Sequence, residues 1–396
     1  MKLAELIHLK RTKKLSEACH ASKNLYNLAN YYVRQGFFCL DEWRRYEDLW
    51  HALKDSDAYR ALPSQTSQQV LKLVDKNWKS FFQAMKEWKS RPERFDGRPR
   101  PPKYKEKGGE FVVVFTNQQY SIKEGFLRFP KRSRLPPVKT RIKEGLRQVK
   151  IVPKGLCYAL EIVHEREETD LKLSDDRIIG IDLGLNNIMT MVNNAGLKPA
   201  VIKGGAIKSI NQYYKKQRAR YSSLKDKQDL GFETRRLQKL AMKRNNKIND
   251  AFHKISKAIV QYCVAYDFGR IVVGYNASWK QGVNIGRRNN QNFVQVPFLK
   301  LVNQITYKAK IVGIELVMVE ESFTSRCSFL DGEPIERCDR YQGRRVSRGL
   351  FRSSEGTFIN ADVNAGYNIV KKAFPNAISV DGIEGSGLSP YLISIS

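Results

Sequence analysis

A hydrophobic period of three and four residues that ends abruptly constrains this chain more than any other feature. Between residues 63 and 89, Leu71, Val74, Trp78, Phe81, Phe82, Met85 and Trp88 recur at that spacing behind Ser64 and Ser67 as candidate N-caps, which predicts one long amphipathic helix. Residues 25–38 and 43–53 carry weaker patterns of the same period, so residues 15–90 read as a helical unit whose aromatics serve either a core or base stacking. From 91 to 107 the chain turns rich in Pro, Gly, Arg and Lys, a composition that breaks helix and strand alike. Beyond this break, residues 111–115, 121–129, 148–152 and 157–164 are short β-branched or aromatic runs divided by Gly and Pro, the pattern of a small β-barrel or sandwich.

A third pattern begins near Asp176. Residues 177–182 read as a buried strand ending in an acid, 188–192 and 199–203 as its neighbours, 207–225 and 233–265 as helices, and 270–273 and 314–319 as further strands. Strands followed by helices, then strand, helix and strand, predict a mixed sheet with helices on its faces. With 396 residues and 41% apolar content, the fold class expected is multidomain α+β.

Lys and Arg number 70 against 40 Asp and Glu, a net +30 that calls for a polyanionic partner, nucleic acid first. Fourteen of these bases lie between Lys203 and Lys247 against three acids, and Lys215, Lys216, Arg235, Arg236, Lys243 and Arg244 are the helical positions expected to follow a phosphate backbone. Arg132 and Arg134 in the β-rich part, Arg287 and Arg288 in a polar loop at 282–293, and Arg344 and Arg345 in a basic stretch at 337–352 are further candidates. Apolar runs are too short to span a membrane, the N-terminus lacks a secretory core, and six scattered cysteines do not make a disulfide framework. A cytoplasmic protein, associated with the nucleoid when bound to DNA, and reduced thiols are the expectations. The stretch after Phe374 reads as flexible.

Phosphodiester hydrolysis gains most from two divalent ions about 3.5–4 Å apart, held by convergent carboxylates. Asp182 lies in Gly180-Ile181-Asp182-Leu183-Gly184, whose glycines permit close approach of a substrate backbone or simply form a turn. Asp362 opens a helix in Asn360-Ala361-Asp362-Val363-Asn364-Ala365-Gly366-Tyr367-Asn368-Ile369, where the helix dipole also favours an acid and the small residues allow tight packing on a sheet.

These two motifs, with Leu185-Asn186-Asn187-Ile188-Met189-Thr190, Tyr307-Lys308-Ala309 and Phe323-Thr324-Ser325-Arg326-Cys327, resemble the OrfB/TnpB family across residues 176–373. The resemblance implies a transposon-encoded, RNA-guided DNA endonuclease related to type V CRISPR effectors. It implies a guide RNA derived from the transposon end, a double-stranded DNA target beside a short adjacent motif, and two Mg²⁺ ions, with Mn²⁺ as a substitute. The layout it implies is a wedge-like β-barrel of residues 1–14 and 91–175, a helical recognition domain of 15–90, and an RNase H-like (RuvC) α/β domain of 176–396 with a ribbon-like insert at 322–358.

Two departures stand out. The family's middle Glu closes the strand that here ends in Gly274, so a Glu of the pair Glu320-Glu321 at the end of the next strand is expected to replace it, Glu321 ahead of Glu320. The four-cysteine ribbon retains only Cys327 and Cys338, so structural zinc is not expected. A guided DNA-binding protein that does not cut, and an accessory to a DNA transposase, are the other readings left open.

Overall fold

Thr12 accepts a hydrogen bond from the Leu15 amide and starts helix α1, Lys13–Cys39, twelve residues before the amphipathic pattern becomes visible. The computed structural model describes residues 1–276, 294–379, 383 and 385–393. The chain divides into Met1–Arg166 and Glu167–Ser396.

In the first unit, α1 is followed by α2 (Tyr46–Leu53), α3 (Asp57–Arg60) and α4 (Ser64–Ser90). Leu25, Tyr26, Ala29 and Val33 of α1 meet Val70, Leu71, Val74 and Trp78 of α4, and the buried Trp78 indole N–H donates to the Asn30 side chain at 2.9 Å. Neither Ser64 nor Ser67 caps α4. Pro63 stands at the N-cap, and the Ser67 hydroxyl, buried inside the helix, donates to the Tyr59 carbonyl.

The β-rich part is two open sheets, with no closed barrel among the described residues. Strands β1 (Lys2–Lys10), β2 (Val113–Thr116), β6 (Leu146–Pro153) and β7 (Cys157–Glu165) form an antiparallel sheet in the order β1-β7-β6-β2. Strands β3 (Ser121–Lys123), β4 (Phe126–Arg128) and β5 (Val138–Lys139) form the second. Closure fails because β2 is four residues long and turns at once into a 3₁₀ turn at Asn117–Gln119, so no ladder continues towards β1. Leu15 and Cys19 of α1 fill the core under the larger sheet.

The second unit is built on a six-stranded mixed sheet. It contains β8 (Ile178–Asp182), β9 (Asn187–Asn193), β10 (Ala200–Lys203), β11 (Arg270–Gly274), β12 (Glu315–Val319) and β16 (Tyr391–Ile393), in the order β12-β11-β8-β9-β10-β16. β12, β11 and β8 run parallel, and β9 turns antiparallel beside β8. Helices α5 (Gly205–Lys227), α6 (Arg235–Ala265) and α7 (Phe298–Ile311) precede the insert strands β13 (Arg344–Ser347), β14 (Leu350–Arg352) and β15 (Phe358–Asn360), which lead into α8 (Ala361–Ala373).

Side chains alternate across a strand, and that alternation decides what each face carries. Ile179 and Ile181 of β8, with Ile271 and Val273 of β11, pack with Phe252, Ile255 and Ile259 of α6 and with Leu301, Val302 and Ile305 of α7. Ile178 and Val272 belong to the opposite core, shared with Val363, Tyr367, Ile369 and Val370 of α8 and with Phe329 and Phe351 of the insert. A Cβ on Gly180 would lie 2.3 Å from Val370 Cγ2 and 2.9 Å from the Gly366 carbonyl oxygen. The absent side chain at 180 therefore lets α8 lie directly on β8, and it admits a helix rather than a substrate backbone.

Candidate carboxylate site

Parity on β8 puts Asp182 on the same face as Ile178 and Gly180, the face that α8 covers. Asp362 stands in the first turn of α8, with its own amide and that of Val363 received by the N-cap Asn360 side chain at 3.0 and 3.2 Å. The Asn187 amide group, at the start of β9, donates to Asp362 Oδ2 at 2.7 Å, and an Arg345 guanidinium nitrogen lies 3.8 Å from Oδ1. Burial and the neighbouring Asp362 charge push the Asp182 carboxyl up to about 7, against the pull of Arg345. Asp182 therefore holds its proton towards neutrality unless a cation offsets the charge of its neighbour.

Register extends the argument to the third acid. Val272 of β11 pairs with Gly180, which aligns Gly274 with Asp182, and Gly274 in turn pairs with Val319 of β12. Counting on by two places Glu321 on the α8 face and Glu320 on the other. A Cβ on Gly274 would lie 3.4 Å from the Glu321 Cβ and 2.5 Å from Ile369 Cδ1, so Glu321 stands beside the place where a side chain at 274 would begin. Glu321 is half-buried, whereas Glu320 is exposed and accepts from the Ser322 hydroxyl at 2.6 Å. Among the described residues, however, no three His, Cys, Asp or Glu side chains gather closely enough to hold a metal ion. The close pair is Asp182 with Asp362.

Residues not singled out from sequence hold this arrangement. The buried Asn368 amide donates to the Thr324 and Cys327 carbonyls at 2.9 and 2.8 Å, and buried Asn364 bonds the Cys327 carbonyl and the Phe329 amide, both at 2.9 Å. Thr324 in turn donates its hydroxyl and amide to the Glu321 carbonyl. Their signal was the i, i+4 spacing of 364 and 368, which puts both on one face of the helix, here the face towards the 324–329 loop. In the insert, buried Glu333 accepts the Ser328 amide at 2.7 Å and the Gln342 amide at 3.1 Å, tying together the two loops that carry Cys327 and Cys338. The Cys327 thiol is buried and raised by desolvation, and Cys338 is partly exposed.

The basic candidates divide. Lys216, Arg235, Arg236, Lys243 and Arg344 are exposed, and so are Arg132, which donates to the Arg60 carbonyl, and Arg134. Lys215 is half-buried with its amine lowered by desolvation. Arg244 is half-buried and bonded to the Asn211 side chain at 2.9 Å and to the Gln295 carbonyl at 2.5 Å, so it braces α5 against α6 instead of facing solvent. Arg345 faces Asp362. Arg287, Arg288 and the 282–293 loop lie outside the described residues. No helix among the described residues is long and apolar enough to cross a membrane.

A family described as a probable transposase matches residues 161–280, and one described as Cas12f1-like, TNB domain, matches residues 298–369. The chain is 24% identical over 413 residues to the TnpB-like protein ORF457 of Acidianus two-tailed virus, covering 91% of this chain and 83% of that protein. It is 28% identical over 232 residues to the CRISPR-associated endodeoxyribonuclease Cas12f2 of a Micrarchaeota archaeon, covering 55% of this chain and only 41% of that protein's length. A solved Cas12f1–sgRNA–target DNA complex contains a similar fold, with a TM-score of 0.54 at 15% identity, covering 89% of this chain and 81% of that one. Two family matches on separate stretches, residues 161–280 and 298–369, and a TnpB-like relative aligned with 91% of this chain make the chain similar to the OrfB/TnpB family.

Proposed function

We propose that the chain is a transposon-encoded, RNA-guided DNA endonuclease whose cleavage site is the Asp182–Asp362 pair on an RNase H-like (RuvC) sheet, completed by Glu321. The observation that carries the proposal is the pairing of a strand-end acid with a helix-start acid, where burial first and the Asp362 charge second push the Asp182 carboxyl up to about 7. The donor set is all oxygen, which suits Mg²⁺, or Mn²⁺ in its place. Asp182, Asp362 and Glu321 would hold the metal, which supplies an activated water and charge stabilisation for the leaving oxygen. Asn187 orients Asp362, and Arg345 offsets negative charge at the same edge. The exposed cations of α5 and α6 support contact with a phosphate backbone, and the guide RNA would choose the double-stranded target beside its adjacent motif by base pairing.

Purified protein with its co-purifying RNA, given Mg²⁺ and a matched target, is expected to cut, and Asp182→Ala is expected to abolish cutting while leaving target binding intact. Sequencing the bound RNA should return one discrete species from the transposon end; a random mixture would overturn guidance. A second reading, a guided DNA-binding protein that does not cut, is favoured by the lack of a three-carboxylate cluster among the described residues. Target binding without cleavage in Mg²⁺ and in Mn²⁺ would establish that reading instead.

A further inference from the structure

In the first unit, the end of α1 and the later turns of α4 leave an aromatic groove that the cleavage chemistry does not use. Its volume is about 760 Å³, within the range of small-molecule sites, and Phe37, Phe38, Phe81, Phe82 and Met85 form its floor. The rings are fixed against one another: Phe37 lies 5.0 Å from Phe38 and 5.4 Å from Phe82, and Phe82 lies 4.9 Å from Trp43. Phe38 is 57% exposed, yet it is held in place, because the Arg34 guanidinium lies over its ring at 5.1 Å while donating to the Pro102 carbonyl. An exposed ring that is already positioned loses little freedom when something stacks on it.

The rim is basic. Lys86 and Lys89 lie one turn apart on α4, and Arg98 and Arg100 line the groove from the Pro-rich segment that follows. All four are exposed, none forms an ion pair among the described residues, and no carboxylate lines the groove. An apolar peptide leaves four cations unanswered, and a second copy of a +30 chain adds repulsion. A nucleotide offers both a π-face and phosphates. Duplex DNA keeps its bases stacked inside the helix, whereas the unpaired nucleotides of a folded RNA present theirs.

We propose that this groove binds one unstacked base of a single-stranded RNA segment, with the base on Phe38 and the flanking phosphates on Lys86, Lys89, Arg98 and Arg100. The choice of RNA rests on the reading that the chain carries a guide; the aromatic and basic complementarity does not.

The test uses full-length protein freed of nucleic acid, without divalent metal, and a short uridine-rich RNA carrying one 2-aminopurine, whose fluorescence falls when the base stacks. Wild type should quench the probe. Phe38→Ala should lift the quench and weaken binding about 5- to 100-fold, and Phe38→Trp should restore both. The double variant Lys86→Ala, Lys89→Ala should weaken binding and reduce the slope of log affinity against log salt by about 1.4, with the quench at saturation kept. A quench unchanged in Phe38→Ala at unchanged melting temperature would overturn the proposal, as would an equal affinity loss with an abasic probe. Equal quenching of the DNA version would overturn the choice of RNA, and a wild-type dimer dissolved by Phe38→Ala would assign the groove to self-association. None of these readouts involves cutting, so failure of the nuclease reading and failure of this one remain distinguishable.

Discussion

Asp182 is where a single residue's environment has the widest consequence. Its folded-state carboxyl sits near 7 against about 3.9 in an unfolded chain, so protonation favours the folded form. For the metal-free protein this contribution is complete below about pH 4, is lost as pH rises towards 7, and is flat above that. Glu110 and Asp331, whose carboxyls are lowered by hydrogen bonds, act in the opposite sense at acid pH, so the measurement is the difference between wild type and Asp182→Asn. Melting curves should show a wild-type advantage at pH 5 over pH 8 that the variant lacks; identical pH profiles would refute the raised Asp182 carboxyl that burial and the Asp362 charge produce. At Glu321, replacement by Gln should lower cleavage by about 100-fold or more if it is a metal ligand, with Glu320→Gln near wild type. Because the two positions adjoin, Gly274→Glu combined with Glu321→Ala should recover part of the activity. Gly274→Glu alone should not raise it, since its Cβ meets Ile369 and stands against Glu321.

Helix α8 does more than present Asp362. Its Asn364 and Asn368 grip the loop that follows β12, and its Gly366 lets Val192 approach, a Cβ there lying 2.9 Å from Val192 Cγ1. Asn368→Ala leaves the Thr324 carbonyl without its buried side-chain donor and the Cys327 carbonyl with Asn364 alone, and should cost about 1–3 kcal/mol in denaturant unfolding. It should also lower cleavage through Thr324, which holds the Glu321 backbone. A stable Asn368→Ala with full activity would remove this link. Glu333→Ala should likewise loosen the insert, read as faster proteolysis within 328–342, because two amides lose their acceptor. Much of α8 was legible, since its acid, capping Asn and small residues lie together in one motif. The role of its two buried asparagines was not, because a polar residue facing a core declares itself only once its partners are in place.

At the scale of the whole chain the charge balance dominates. A net +30 should make RNA affinity fall steeply with salt, by about 10³-fold or more between 50 and 200 mM if six or more phosphates are contacted. A shallow salt dependence in a filter-binding titration would deny the exposed cations of α5 and α6 a backbone role. Not every base counts equally, and Arg244 shows why: the helical pattern placed it among the binding cations, yet its donors are taken by Asn211 and Gln295. Periodicity and composition along the chain determined the long helices, five of the mixed sheet's six strands, the two acidic motifs and the need for a polyanion, because each is a property of neighbours in sequence; the sixth strand, Tyr391–Ile393, lies in the tail read as flexible. Tertiary structure alone decided that the β-rich part stays open, that Gly180 admits a helix, and that Glu321 rather than Glu320 shares a face with Asp182. Those outcomes depend on strand register and on contacts such as that of Gly180 with Val370, 190 residues apart, and no local pattern encodes them.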